Sequence, residues 1–185
     1  MEPVVRVAVT VTFLRMELPP TAPAPSLPVS TSLVRVPRPA VAFYRFLYDT
    51  VGAEYVWWLR RTMPDRDVAA LLSDKHVSIH VLYEDGQPAG FFELDGRGRP
   101  DTNISYFGLM PHALGRGMGA AFLRAAVDEC WAAGPRWVTV NTCTADHPRA
   151  LPGYIRAGFR PVRQVREVWD VPVRLGLKVP DNLRV

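Results

Sequence analysis

Glycine is nearly the worst residue for a helix, yet Gly115, Gly117 and Gly119 alternate with other residues directly before a helical stretch. In that stretch Phe122, Leu123, Ala126, Val127, Cys130 and Trp131 recur at helical spacing, while Arg124, Asp128 and Glu129 lie off the stripe. Gly134–Pro135 ends it. A strand-like run, "NISYFGLM" (Asn103–Met110), precedes the glycines, and a second, "RWVTVNT" (Arg136–Thr142), follows the helix. A crossover of that length predicts that the two strands are parallel neighbours in one sheet. Amides without a Cβ beside them are free to turn together toward a ligand. At a helix N-terminus the first N–H groups lack intrahelical partners and the dipole is positive, so Gly115–Ala120 reads as a phosphate cradle. Two other phosphate motifs fit badly. Gly119 is followed by Ala120–Ala121 and not by Lys-Ser/Thr, and G-x-G-x-G is not the dinucleotide G-x-G-x-x-G.

The rest of the chain is patterned around that unit. In "VVRVAVTVTFLRM" Val5, Val7, Val9 and Val11 alternate with Arg6, Ala8, Thr10 and Thr12, which predicts an N-terminal strand and argues against a signal peptide. Leu18–Pro28 holds five prolines and predicts an extended linker. Ser32–Val36 reads as a strand. A helix runs from Pro39 to Gly52 with Val41, Tyr44, Leu47, Tyr48 and Val51 on one stripe, a second is expected over Glu54–Arg61, and a third follows Pro64. "HVSIHVLYE", an Asp85–Gly86 turn and "AGFFELD" predict a hairpin. His147–Gly158 reads as helical, broken or bent at Pro152–Gly153, and Phe159–Val171 as a strand. The expected organisation is an N-terminal strand and linker over 1–28 packed on a domain at 29–171, with a tail over 172–185. The fold class is α/β, with a mixed sheet.

Composition enters as exclusion. The net charge is +4, Lys75 and Lys178 are the lysines, and no run of like charges marks a nucleic-acid surface. Cys130 and Cys143 have no spacing for a disulfide framework or a zinc site, and the histidines lack metal-ligand spacing, so no metal is expected. No apolar run reaches the ~18 residues of a membrane span. The expectation is a cytoplasmic protein with reduced thiols, a monomer or homodimer, with neither nucleic acid nor membrane as partner.

"LGRGMG" (Leu114–Gly119) and "YIRAGF" (Tyr154–Phe159) together resemble the GNAT superfamily of acyl-CoA-dependent N-acetyltransferases, over about Val29–Trp169. The family's loop reads Arg/Gln-x-x-Gly-x-Gly/Ala, and Leu114 stands where Arg or Gln is usual. His147 stands where the family has Asn, and Ala150 keeps the common Ala. The resemblance implies a mostly antiparallel central sheet splayed between the family's strands 4 and 5, flanked by helices, here with an extra N-terminal strand. It implies acetyl-CoA as cosubstrate. Leu114, Gly115, Arg116, Gly117, Met118, Gly119 and Ala120 would hold the pyrophosphate. Leu109 and Met110 would offer backbone groups to pantetheine and the acetyl carbonyl, with Asn141 and Thr142 on the opposite strand and His147 close to the coenzyme.

Acetyl transfer from a thioester needs a neutral amine, a stabilised oxyanion and a proton for the leaving thiolate. Tyr154, implied by the resemblance, is the candidate acid, since a phenol of pKa ~10 can protonate a thiolate of similar basicity. Glu93, alternating with Phe92 and Leu94 in its strand, is the candidate base. The acceptor is expected to be a small-molecule or peptide amine. A non-catalytic acyl-CoA-binding sensor on the same fold is the alternative.

Overall fold

The computed structural model describes residues 2–98 and 100–185. In chain order they form β1 (Val4–Met16), β2 (Thr31–Val36), α1 (Val41–Val51), α2 (Leu59–Thr62), α3 (Asp65–Ser73), β3 (Val77–Glu84), β4 (Gln87–Asp95), β5 (Thr102–Leu109), α4 (Gly119–Ala132), β6 (Val138–Cys143), α5 (Ala150–Arg156) and β7 (Arg160–Pro172). The strands make one sheet in the order β2-β3-β4-β5-β6-β1-β7. Its pairs are antiparallel except β5 with β6, which are parallel, as the crossover through α4 requires.

Helices cover both faces. On one, α4 and α5 bury Phe122, Ala126, Cys130 and Tyr154 against Phe92, Ile104 and Val140. On the other, α1 and α3 bury Tyr44, Leu47, Tyr48, Val51 and Val68 against Ile79, Val81 and Phe91. The stripe read from the sequence in α1 is therefore its core face.

β1 is an interior strand. It pairs with β6 from Val11 to Met16 and with β7 along almost its full length, and Val7, Val9, Val11, Leu14 and Met16 are buried. Its period-two pattern follows from that position, because alternate side chains enter opposite faces of the sheet. β1 ends beside Val138 while β2 begins at the far edge, beside Glu84. The proline-rich segment between them is thus a strap across the α4 face. Arg124 Nη1 donates to the Ala22 carbonyl at 2.7 Å, and Leu27 packs on the α4-side core.

Two expectations are corrected, and the tail gains a place. The helix expected over Glu54–Arg61 is a 3-10 turn at Gly52–Glu54, a non-helical stretch over Tyr55–Trp58, and the single turn α2. Val56 sits there at φ +56°, a left-handed conformation no helix can pass through. Pro152 does not break α5, because it lies in the first turn, where its missing N–H has no intrahelical partner to lose. The tail after Pro172 is tied to β1: Val179 and Leu183 are buried with Val7 and Val9, and Arg184 bridges Val7.

Candidate active site

β5 and β6 pair only where Thr102–Ile104 meets Val138–Val140. At that point the β4–β5 register shifts, leaving Ser105 as the extra residue between Ile104 and Tyr106. A bulge bends its strand, and beyond Ser105 strand β5 separates from β6. The parting opens a cleft of about 1210 Å³ through the sheet. One mouth lies on the α4–α5 face, where Phe107 packs with Phe122 and Tyr154. The other lies on the α1 face, where Tyr106 packs with Tyr48 and Trp57.

At the α4 mouth the cleft is lined by Leu114, Gly115, Gly117, Gly119 and Ala120, with Pro20–Pro25 of the strap across the way. Gly115 and Gly117 take φ +74° and +81°, and a Cβ at either would point into open space. Among the described residues, no acceptor takes the amides of Gly115 through Ala120. Fourteen residues of α4 stand behind them, so the dipole's positive end adds to the exposed donors. These groups fit a diphosphate.

Leu109, Asn141, His147 and Tyr154 line the same cleft. His147 Nδ1 accepts the Arg149 N–H at 3.1 Å, and its ring meets Tyr55 edge to face. Tyr154 is 7% exposed, packed between Phe107 and Phe159. Burial first, then the negative charge of Asp146, pushes its phenol above the usual tyrosine range, so it is protonated at neutral pH.

Other expected residues stand away from the cleft. Glu93 is fully buried on the α1 face, and its carboxylate accepts from Arg60 Nη2 at 2.7 Å and the Tyr44 hydroxyl at 2.5 Å. A carboxylate sealed there and paired with a guanidinium is not free to take a proton from an amine, so its surroundings speak against its expected role as base. Its role is to hold Arg60, whose guanidinium lies over the Tyr106 ring. Met110 is 1% exposed and donates its N–H to the Ala89 carbonyl at 2.8 Å, so that amide is not free for a ligand. Met118 is buried in the α4-side core, and Arg116 turns away to ion-pair with Glu84. Thr142 is buried and donates its hydroxyl to Asp146 Oδ2 at 2.8 Å.

Asp146 was not legible as a site residue. It lies between β6 and α5, lines the cleft, and accepts the Trp57 indole N–H at 3.3 Å on Oδ1. Trp57 is far away in sequence, and no local pattern joins the two. Cys143 also lines the cleft, but burial and the charge of Asp146 push its thiol up to about 12, so it is no nucleophile at neutral pH. Among the described residues no cluster of His, Cys, Asp or Glu could hold a metal ion, and no helix is long and apolar enough to cross a membrane.

Comparison with known proteins agrees with this geometry. The acetyltransferase (GNAT) domain family matches residues 51–173. No protein of curated function is significantly similar in sequence. Among solved structures, a GCN5-related N-acetyltransferase from Sphaerobacter thermophilus is 20% identical, with TM-score 0.61, over 92% of this chain and 53% of that one. A tandem GNAT protein from the clavulanic acid biosynthesis pathway is 16% identical, with TM-score 0.60, over 91% and 55%. An aminoglycoside acetyltransferase from an uncultured soil metagenomic sample is 14% identical, with TM-score 0.56, over 70% and 88%. The chain spans little more than half the length of the first two. At these identities the likeness is one of fold: a mixed, mostly antiparallel sheet flanked by helices.

Proposed function

The chain belongs to the GNAT acetyltransferase family, and on that footing we propose that it transfers an acetyl group from acetyl-CoA to a primary amine by direct attack. The observation that carries the proposal is the row of unclaimed amides from Gly115 to Ala120 at the mouth of the splayed strands. The pyrophosphate would rest on them, and the pantetheine arm would enter between β5 and β6 past Leu109 and Asn141.

The neutral amine adds to the thioester carbonyl carbon. A C–N bond forms as the carbonyl electron pair moves to oxygen, and backbone N–H near Leu109 receives the oxyanion. Collapse of the tetrahedral intermediate breaks the C–S bond, Tyr154 gives its proton to the departing sulfur, and the amide nitrogen releases one proton to water. The phenolate recovers a proton from water, so the charges balance.

The test mixes the protein with acetyl-CoA and a panel of small and peptide amines and follows free thiol. Amine-dependent release supports the proposal. Coenzyme A binding without turnover on any amine favours the sensor reading, for which the burial of Glu93 and its pairing with Arg60 is the one favouring observation.

A further inference from the structure

Asp146 lines the cleft without an ion-pair partner among the described residues. Asp146 Oδ2 accepts from the Thr142 hydroxyl at 2.8 Å and the Cys143 N–H at 2.9 Å, which fixes the group. Oδ1 receives only the long bond from Trp57. Among the described residues no Arg, Lys or His forms an ion pair with Asp146. Arg60, which α2 brings to the same face, is committed to Glu93 and to the Tyr44 hydroxyl. Glu93 pairs with Arg60, so that guanidinium is not drawn onto Asp146.

The wall around Asp146 is aromatic, and its backbone is built to hold it. Trp57 lies 5.0 Å from the Tyr106 ring and 5.2 Å from the Tyr48 ring. A Cβ on Gly52 would come within 2.4 Å of Trp57 Cβ, so only glycine lets the indole sit there. Between Tyr55 and Trp57, Val56 is held left-handed, a conformation that β-branched residues rarely adopt. Strain of that kind persists where the surroundings over-determine a conformation. Here it sets the indole N–H on Asp146. Tyr55, Trp57 and Tyr106 are each partly exposed to the cleft.

We infer that this end of the cleft is the acceptor subsite and that it selects a primary ammonium carried on a flat apolar body, Asp146 binding the ammonium and Tyr55, Trp57 and Tyr106 the body. The inference rests on the acetyl-transfer reading. Binding in the ammonium form brings the nitrogen to the thioester mouth, and one proton must pass to solvent before the lone pair attacks. A carboxylate next to the amine meets Asp146 as a like charge and is rejected.

The probes are 2-phenylethylamine, its α-carboxylate counterpart phenylalanine, and ethanolamine, each assayed for thiol release with acetyl-CoA and for equilibrium binding by calorimetry in the presence of coenzyme A. The expected result is a kcat/KM for 2-phenylethylamine about tenfold or more above those of the other two, with matching order in binding. Asp146→Asn is expected to raise the KM for 2-phenylethylamine about tenfold while leaving the KM for acetyl-CoA unchanged. Equal handling of the three amines by the unaltered protein overturns the inference whether or not the variant folds. So does a folded Asp146→Asn protein with unchanged KM. Turnover confined to other amines overturns the subsite assignment and leaves acetyl transfer standing, whereas no thiol release with any amine overturns both.

Discussion

The acid role proposed for Tyr154 rests on where its phenol sits. Burial and the charge of Asp146 both favour the neutral phenol, so the proton to be donated is in place throughout the neutral range. The raised pKa moves the loss of that proton upward, so kcat should show no descending limb below pH ~10. Tyr154→Phe is expected to lower kcat about a hundredfold with little change in the KM for acetyl-CoA, and steady-state rates against pH check both. His80 makes a different use of burial. It is 3% exposed and stacked on Phe92, and burial followed by Arg35 lowers its pKa from 6.5 to about 4. The unfolded chain therefore binds the proton first as the pH falls. The stability contributed by neutral His80 is fully present above pH 6.5 and lost progressively toward pH 4, by up to about 3 kcal/mol. His80→Gln should flatten the urea-unfolding midpoint against pH across that window. At this scale the sequence was partly readable. Tyr154 sits in a motif whose spacing marks it. Glu93 alternates correctly with Phe92 and Leu94, but alternation shows a face and not what covers it, and Arg60 and Tyr44 cover this one. Asp146 acquires its meaning from Trp57, a partner no periodicity can supply.

Among elements, the glycine loop and α4 act as one device. Gly115 and Gly117 need left-handed backbone, and the space their missing Cβ atoms leave is the space an anion would fill. Gly117→Val should both strain the loop and obstruct it. The expected outcome is coenzyme A affinity weaker by about tenfold or more, read by calorimetry, with the thermal midpoint lowered only modestly because the site is on the surface. Gly52→Ala is the complementary case. There the added carbon meets Trp57 inside the protein, and a loss of about 1–3 kcal/mol in urea unfolding is expected. Strands, α1 and α4 were legible because one face of each is buried and the period shows it. The stretch from Gly52 to Trp58 was not, because its helical-looking composition is overruled by a Gly52–Trp57 contact and a left-handed valine.

For the molecule as a whole, the sheet's continuity depends on β1. With β6 on one side and β7 on the other, it joins the two ends of the described chain one strand in from the sheet's edge, and the alternation of its valines gave no hint of which strands it would lie between. A proline there removes a ladder bond on an interior strand. Val9→Pro is accordingly expected to cost about 3 kcal/mol or more. The unaltered protein should unfold in a single transition in which circular dichroism and tryptophan fluorescence coincide. The same weave sets an order of events during synthesis. Val5 faces Val171, so β1 leaves the ribosome long before the partner that seals its outer edge exists. Until then a valine-rich ribbon with open hydrogen-bonding edges waits in the nascent chain, the kind of segment that chaperones bind and that crowded neighbours can capture. Completion must therefore come late, and slow refolding with aggregation that rises with concentration is the signature to expect when such a non-local strand closes last.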